Sequence, residues 1–472
     1  MRAWMAAYPY DCIEQRLSVA VALGDKARWD AAASALAGYL DGDGLVRFFP
    51  ADWIAGDDAL TAYILRLSAR SGWAIPESTK ARMTAGLTRF ITGQIERSHA
   101  AVLVIDKAGG GGIADLSGDG PPRRVAALAA LVASGAASPA LVQSISITPN
   151  TWPTSTVLDW REAVAGLPGL AGQPARLAQA DAILRARLDV QGTVLRVNNA
   201  DAPWQVLASR DTTMAGYVAL AARAPGWAGD APRLARALML AQRRGRWDTT
   251  PANALGTLAM RDFARVFEGA AVTGITNVTV GPISRSVRWA ATPAAVTLPW
   301  PDTSAPLRIS HAGTGKPWAM VMARAAVPLT RPIASGFALS RQVSAVAQAV
   351  PGRWSRGDVM RVRLTLTARA PTDWVVINDP VPPGATILGG NLGGRSQLLA
   401  GDDSGAEPAT FVECREDAVH AHYAAVGRRP VTYEYTVRLG TRGSFRLPPT
   451  RAEALYAADV MALLPNAPLV VQ

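Results

Sequence analysis

From about residue 12 to residue 268 the apolar positions recur at three- and four-residue spacing. DALTAYILRLSARSG, RRVAALAALVASG, ARLAQADAILRARL, TTMAGYVALAARA and RLARALMLAQRRG each carry an apolar stripe, and Gly or Pro closes most of them. This pattern predicts many short helices joined by turns, without intervening strands, packed helix on helix in antiparallel hairpins. The period changes near Gly269. AVTGITNVTVG, SVRWAA and AAVTLPW, then VMRVRLTLTARA, WVVINDPVPPGATI, VTYEYTVRLG and GSFRLPP, alternate and are rich in β-branched residues, so they read as antiparallel strands between Gly and Pro turns. A stretch at 336–358 separates two such sets. The expected organisation is multidomain α plus β: a helical domain over 1–268, a short β-domain over 269–345 and a terminal β-sandwich over 346–472.

Composition changes this picture little. The 472 residues are 49% hydrophobic and 18% charged, the balance of ordinary globular protein. A net charge of +11 raises nucleic acid as a partner, but the basic residues are scattered, with Arg243-Arg244 and Arg428-Arg429 the densest spots, and no aromatic platform accompanies them. Nucleic-acid binding is not expected. Lysine occurs only at 26, 80, 107 and 316, so arginine carries the charge. Two cysteines, Cys12 and Cys414, exclude a disulfide framework. The N-terminal MRAWMAAYPYDC does not have the form of an export signal. Residues 125–142 are apolar but rich in Ala, Ser and Gly, with Pro139 inside, and read as a buried helical hairpin rather than a membrane span.

The chemistry begins at YPYDCIEQRLSVAVAL, residues 8–23. Asp11 and Glu14 have capping-box spacing, which predicts a helix starting at Cys12. Cys12 and Gln15 then lie one turn apart on one face, so the thiol can meet the carboxamide. A helix N-terminus is expected to lower the thiol pKa and favour the nucleophilic thiolate. Attack on the Gln15 carboxamide with loss of ammonia would give an internal thioester, able to acylate an amine or hydroxyl if water is kept away. Two other readings stand beside it: a small buried Cys that only packs, and a protease-like nucleophile, which needs a histidine base. His99 is the sole histidine of the helical region, and no partner is evident to orient it.

YPYDCIEQRLS resembles the YPYGCLEQ thioester signature of bacterial alpha-2-macroglobulins. DGDGLVRFFPADW, RRGRWDTTPANALGTLAM, VVINDPVPPGATI and YEYTVRLGTRGSFRLPPTRAEALY resemble further segments of that family in the same order, so the similarity runs from about residue 8 to 472. The resemblance implies an α/α toroid carrying the thioester, part of a CUB-like β-domain and the last macroglobulin-like sandwich. It implies a broad-range protease inhibitor, not an enzyme: cleavage of a bait region exposes the thioester, which captures the protease through lysine. Cys12 and Gln15 match the thioester pair. Tyr8 matches an aromatic that shields the bond, and Tyr456 a residue of the last domain that helps exclude solvent. Relatives are periplasmic, often lipid-anchored, and frequently encoded beside a penicillin-binding protein, a possible partner. No cofactor and no metal are implied.

Asp11 stands where the family has Gly, which puts a charge beside the bond. CREDAVHAHY, residues 414–423, also departs from the pattern. Cys414 reads as an incidental thiol, and His420 and His422 as exposed strand residues rather than metal ligands. The macroglobulin domains and bait region that precede this part in full-length relatives are not in the sequence, as expected of a C-terminal piece or a split gene. GTGKPW at 313–318 lacks the frame of a phosphate loop, GGGG at 109–112 reads as a flexible loop, and Arg356-Gly357-Asp358 as a turn opening a strand. Two alternatives remain: a binding or scaffolding module of the same fold whose thioester is never formed, and a cysteine acyltransferase, which the lack of a paired His and Asp disfavours.

Overall fold

A computed structural model describes all residues except 98–102, 106–110, 114–119, 192–193, 198–206, 290–294, 302, 316, 320, 322, 324–328, 391–407 and 458–459. His99, Lys107 and Lys316 lie outside the described residues, as does part of the GGGG run.

The helical region contains α1 (Arg2–Ala6), α2 (Ile13–Leu23), α3 (Lys26–Ala35), α4 (Asp58–Ser71), α5 (Glu77–Ile91), α6 (Gly120–Ala133), α7 (Thr154–Ala165), α8 (Gln173–Ala186), α9 (Arg210–Arg223), α10 (Ala231–Ala241) and α11 (Thr250–Phe267). Their ends follow the local chemistry. Asp57 caps α4 by accepting from Leu60 N–H, and Gly72 closes it in the left-handed conformation at φ 75°. The contacts close a ring: α2 packs on α4, α4 on α6, α6 on α7, α7 on α9, α9 on α11, and α11 back on α2. Outside it, α3 lies on α2, α5 on α6 and α4, α8 on α7, and α10 on α9. This is an α/α toroid. Arg66 of α4 reaches Asp159 and Glu162 of α7 at 2.5 and 2.6 Å, and Arg223 of α9 reaches Glu162 and Asp262 of α11 at 3.4 and 3.0 Å, so one charge network ties four ring helices together.

Among the described residues two short hairpins interrupt the helices, β1 (Leu103–Ile105) with β2 (Gly111–Ile113) and β3 (Leu188–Gln191) with β4 (Val194–Val197). They correct the expectation of a strand-free region. The second pair comes from LDVQ and VLRV, where apolar residues alternate for too few positions to stand out beside a helical period. The expected hairpin at 125–142 is α6 followed by a single 3₁₀ segment, Pro139–Ser144.

After α11, β5 (Ile275–Val280) pairs with β6 (Ile283–Arg288) and β7 (Leu307–Ala312) in a three-stranded antiparallel sheet. The remaining strands are β8 (Ile333–Ser335), β9 (Phe337–Ala347), β10 (Val359–Ala368), β11 (Thr372–Pro380), β12 (Thr386–Gly390), β13 (Phe411–Cys414), β14 (Ala418–Val426), β15 (Val431–Arg438), β16 (Gly443–Phe445), β17 (Thr450–Ala454), β18 (Met461–Leu464) and β19 (Leu469–Val471). They form one sheet in the order β12-β15-β10-β9, a second in the order β13-β14-β11-β17-β18-β8, and the pair β16-β19. Side chains of both large sheets meet in a common core, including Leu364, Leu366, Ile377, Tyr423 and Val437. The stretch expected to separate two strand sets is therefore partly strand. β8 and β9 belong to the sandwich, which starts near Ile333 rather than at 346, because alternating FALSRQVSAVA pairs along β10 over its whole length.

The sandwich sits on the toroid. Trp374, Val376 and Leu455 are continuous with the helical core. Trp374 lies 4.2 Å from Phe48 between ring centroids, and Phe411 stacks on Phe49 at 4.2 Å. Trp374 adopts φ 48°, a conformation a bulky residue holds only when its surroundings impose it. Trp53 Nε1 donates to Thr410 O at 3.1 Å, and Arg415 Nη1 to Pro9 O at 2.9 Å. Residues 8–14 and 48–53 thus face the β13-β14-β11-β17 part of the sandwich. Among the described residues, no helix is long and apolar enough to cross a membrane.

Candidate functional site at the start of the second helix

Helix α2 begins one residue later than the capping spacing suggested. Cys12, at φ −65° and ψ 162°, is the N-cap, and the box closes between Cys12 and Gln15 rather than between Asp11 and Glu14. Gln15 N–H donates to the Cys12 sulfur, and Cys12 N–H donates to Gln15 Oε1 at 3.0 Å. Ile13 N–H, an orphan of the first turn, donates to Phe48 O at 3.1 Å. Asp11 instead faces Arg16 at 3.7 Å with 61% of its side chain exposed, and partial burial raises its carboxyl above the ordinary value.

Glu14 does something else. It is fully buried, and it accepts from Ser18 Oγ at 2.6 Å, from Thr250 Oγ1 at 3.0 Å on both oxygens, and from Tyr456 Oη at 3.1 Å. Ser18 Oγ also lies 2.7 Å from Tyr63 Oη. Burial pushes the Glu14 carboxyl up to about 7, and the three hydroxyl donors oppose that rise. Thr250 is delivered by the start of α11, capped by Thr249 and seated tightly on Trp247: a Cβ on Gly256 would stand 2.8 Å from that indole. The sequence assigns no role to Ser18, Tyr63 or Thr250; the available signals are Ser18, one turn after Glu14 in an apolar helix, and the place of Thr250 in the family-like segment RRGRWDTTPANALGTLAM.

Tyr8 and Tyr456 both come to the pair. Gln15 Nε2 donates to Tyr8 Oη at 3.5 Å, and the Tyr8 ring stands edge-on between Trp4 and Tyr10, at 4.8 and 5.5 Å. Tyr456, on the turn after β17, covers Glu14 from the sandwich side and lies 6.4 Å from Phe48. Tyr10, which the sequence did not mark, is buried and donates to Glu453 Oε2 at 2.7 Å across the domain boundary.

Cys12 and Gln15 are each 1% exposed. Burial raises the Cys12 thiol well above its ordinary value, with Glu14 adding to the rise and the backbone donors of Gln15 and Glu14 opposing it. The expected lowering by the helix N-terminus is therefore overturned: removal from water outweighs the helix dipole when the group is sealed. Cys414 is exposed. His420 and His422, expected on an exposed strand, are 2% and 0% exposed, because their face of β14 packs on Tyr10 and Phe49.

The Cys12 sulfur accepts from the Gln15 backbone and the Gln15 carboxamide oxygen from the Cys12 backbone, so the two side chains are fixed reciprocally in a buried compartment flanked by aromatic rings.

Residues 336–459 match the family model of the bacterial alpha-2-macroglobulin MG10 domain. Among solved structures, the whole chain aligns with native alpha-2-macroglobulin from Escherichia coli spanning domain MG7 to the C-terminus, at 17% identity and TM-score 0.70, covering 74% of that chain. It aligns equally with the native conformation of E. coli alpha-2-macroglobulin seen by electron cryo-microscopy, at 16% identity and TM-score 0.70, and with Salmonella alpha-2-macroglobulin reacted with methylamine, at 16% and 0.69. The chain covers 100% of its own length in all three and 30% of each of the latter two. Comparison by sequence with curated proteins finds no match.

Proposed function

We propose that this chain, which belongs by its MG10 domain and its fold with the C-terminal part of the bacterial alpha-2-macroglobulins, carries an internal thioester between Cys12 and Gln15 and uses it to trap proteases. The observation that carries the reading is the reciprocal pairing of Cys12 with Gln15 in a sealed site beneath Tyr456.

Bond formation balances without a cofactor. The Cys12 sulfur adds to the Gln15 carboxamide carbon while Oε1 rests on Cys12 N–H. The thiol proton passes to the carboxamide nitrogen, the carbon–nitrogen bond breaks, and ammonia leaves. In the capture step a lysine amine of the protease attacks the same carbon, the carbon–sulfur bond breaks, and Cys12 becomes a free thiol. Its environment tunes the second step. A buried thiol of raised pKa is a poor leaving group, so the closed form resists attack; once the sandwich moves away and water reaches the helix N-terminus, departure of sulfur becomes easier. The trigger, by this reading, is bait cleavage in a part of the molecule preceding the helical domain, and the three-stranded β5-β6-β7 sheet is part of a CUB-like domain. The location in keeping with this role is the periplasm, with proteases as partners, a penicillin-binding protein as a further one, and a lipid anchor on the preceding part.

Intact-mass measurement before and after methylamine tests the proposal. A mass lower than the sequence mass by one ammonia, then a methylamine adduct at Gln15 with a new thiol at Cys12, is expected. Two free thiols and no adduct in freshly folded protein would sink the thioester and leave the same-fold binding module.

A further inference from the structure

On β14, His420 and His422 stand two residues apart, and on β13 Glu413 lies directly across from His420 in the antiparallel register. The alternation of a strand puts all three on one face, whereas Cys414, the next residue, falls on the other. One donor atom from each of Glu413, His420 and His422 lies within 4.8 Å of the others. His420 Nδ1 is 3.2 Å from Glu413 Oε2, which also receives Arg415 Nη2 at 2.9 Å.

His422 is the unexplained member. It is 0% exposed, and among the described residues neither ring nitrogen has a hydrogen-bond partner. Its neighbours are rings: Phe49 at 4.8 Å, Phe411 at 6.3 Å, and Tyr10 and His420 at 6.4 Å. The Tyr10 hydroxyl donates to Glu453. If His422 served packing alone, an apolar ring would fill the place without two stranded polar atoms. Buried polar groups without partners are rare and mark strain, a functional role or a bound ion or water.

We infer that Glu413, His420 and His422 form a binding site for a single divalent transition-metal ion, with zinc the best fit. Two neutral imidazoles and a carboxylate are the donors of a three-ligand zinc site, which keeps a fourth position for water. Arg415 engages one carboxylate oxygen and orients Glu413, a supporting contact of the kind metal ligands commonly have. Access is from the Glu413 side, where that side chain is 15% exposed. All ligands come from the sandwich, so the ion would stiffen the strand pair on which Tyr10 rests, two residues before Cys12. The inference does not depend on the thioester.

The test uses the whole chain, free of any affinity tag, stripped with chelator and titrated with zinc chloride by calorimetry, with metal content by mass spectrometry. One zinc per chain is expected, with affinity falling at least about tenfold in Glu413→Gln and in His420→Gln. Because a variant could perturb folding, cobalt absorption of the unaltered chain is the second readout. Intense visible bands of a tetrahedral site support the assignment. Absence of stoichiometric zinc, a weak octahedral cobalt spectrum, or affinity unchanged in the Glu413→Gln, His420→Gln double variant would overturn it.

Discussion

Tyr456 donates its hydroxyl to Glu14 at 3.1 Å, joining the last domain to the second helix across 442 positions of sequence. The acceptor lies between Cys12 and Gln15 in the chain, so the contact couples the seat of the sandwich to the residues that would form the thioester. A carboxylate buried for any other reason would be costly. Here three hydroxyls hold it, and one of them belongs to the domain that closes the site.

Replacing Tyr456 by Phe should keep the ring near Phe48 and remove only this hydrogen bond. A hydrogen bond to a charged acceptor contributes about 1.5–3 kcal/mol, and Thr250 and Ser18 would still satisfy part of Glu14, so we expect a loss near the lower end. Spontaneous release of the Cys12 thiol, followed with a thiol reagent, should be severalfold faster in Tyr456→Phe and faster still in Tyr456→Ala. Equal rates in all three proteins would show that Tyr456 does not guard the site.

Glu14 makes the fold pH-dependent in a defined direction. Its folded pKa of about 7 stands above the ordinary 4.5, chiefly through burial. The folded state therefore holds the proton more tightly. The stabilisation this brings is fully present below pH 4.5 and is lost as pH rises to 7, above which the buried group is charged. Glu14→Gln mimics the protonated form. Relative to the unaltered chain, its stability should differ little at pH 4.5 and gain on the order of 3 kcal/mol by pH 8. Denaturation midpoints at the two pH values, taken as differences between the proteins, isolate this residue; a constant difference would contradict the assignment.

Tyr8 can be divided into ring and hydroxyl. Tyr8→Phe keeps the edge-on packing between Trp4 and Tyr10 and loses only the long 3.5 Å contact with Gln15. If the proposed thioester forms, its hydrolysis in Tyr8→Phe should stay close to the rate in the unaltered protein. Tyr8→Gly opens the ring's volume to water and should speed both hydrolysis and reaction with methylamine. An unchanged rate in Tyr8→Gly would remove Tyr8 from the proposed shielding role.

Much of this was legible in the chain. Helical spacing through 12–268 and alternation after Gly269 determined the two kinds of structure, since both periods record which side of an element meets the core. The three-residue interval between Cys12 and Gln15 determined that they share a helical turn. Tertiary structure decided the rest. Which residue caps α2, Cys12 or Asp11, was settled by the packed helix start, and the state of the Cys12 thiol by its burial in a core that includes Trp374, Val376 and Leu455 of the distant sandwich. The partners of Glu14 come from α4, α11 and the turn after β17, reaching it directly or through Ser18, and no local pattern brings those segments together. His420 and His422 looked like solvent-facing strand positions because alternation tells which residues share a face, while only the docking of that face on Tyr10 and Phe49 determines that it is buried.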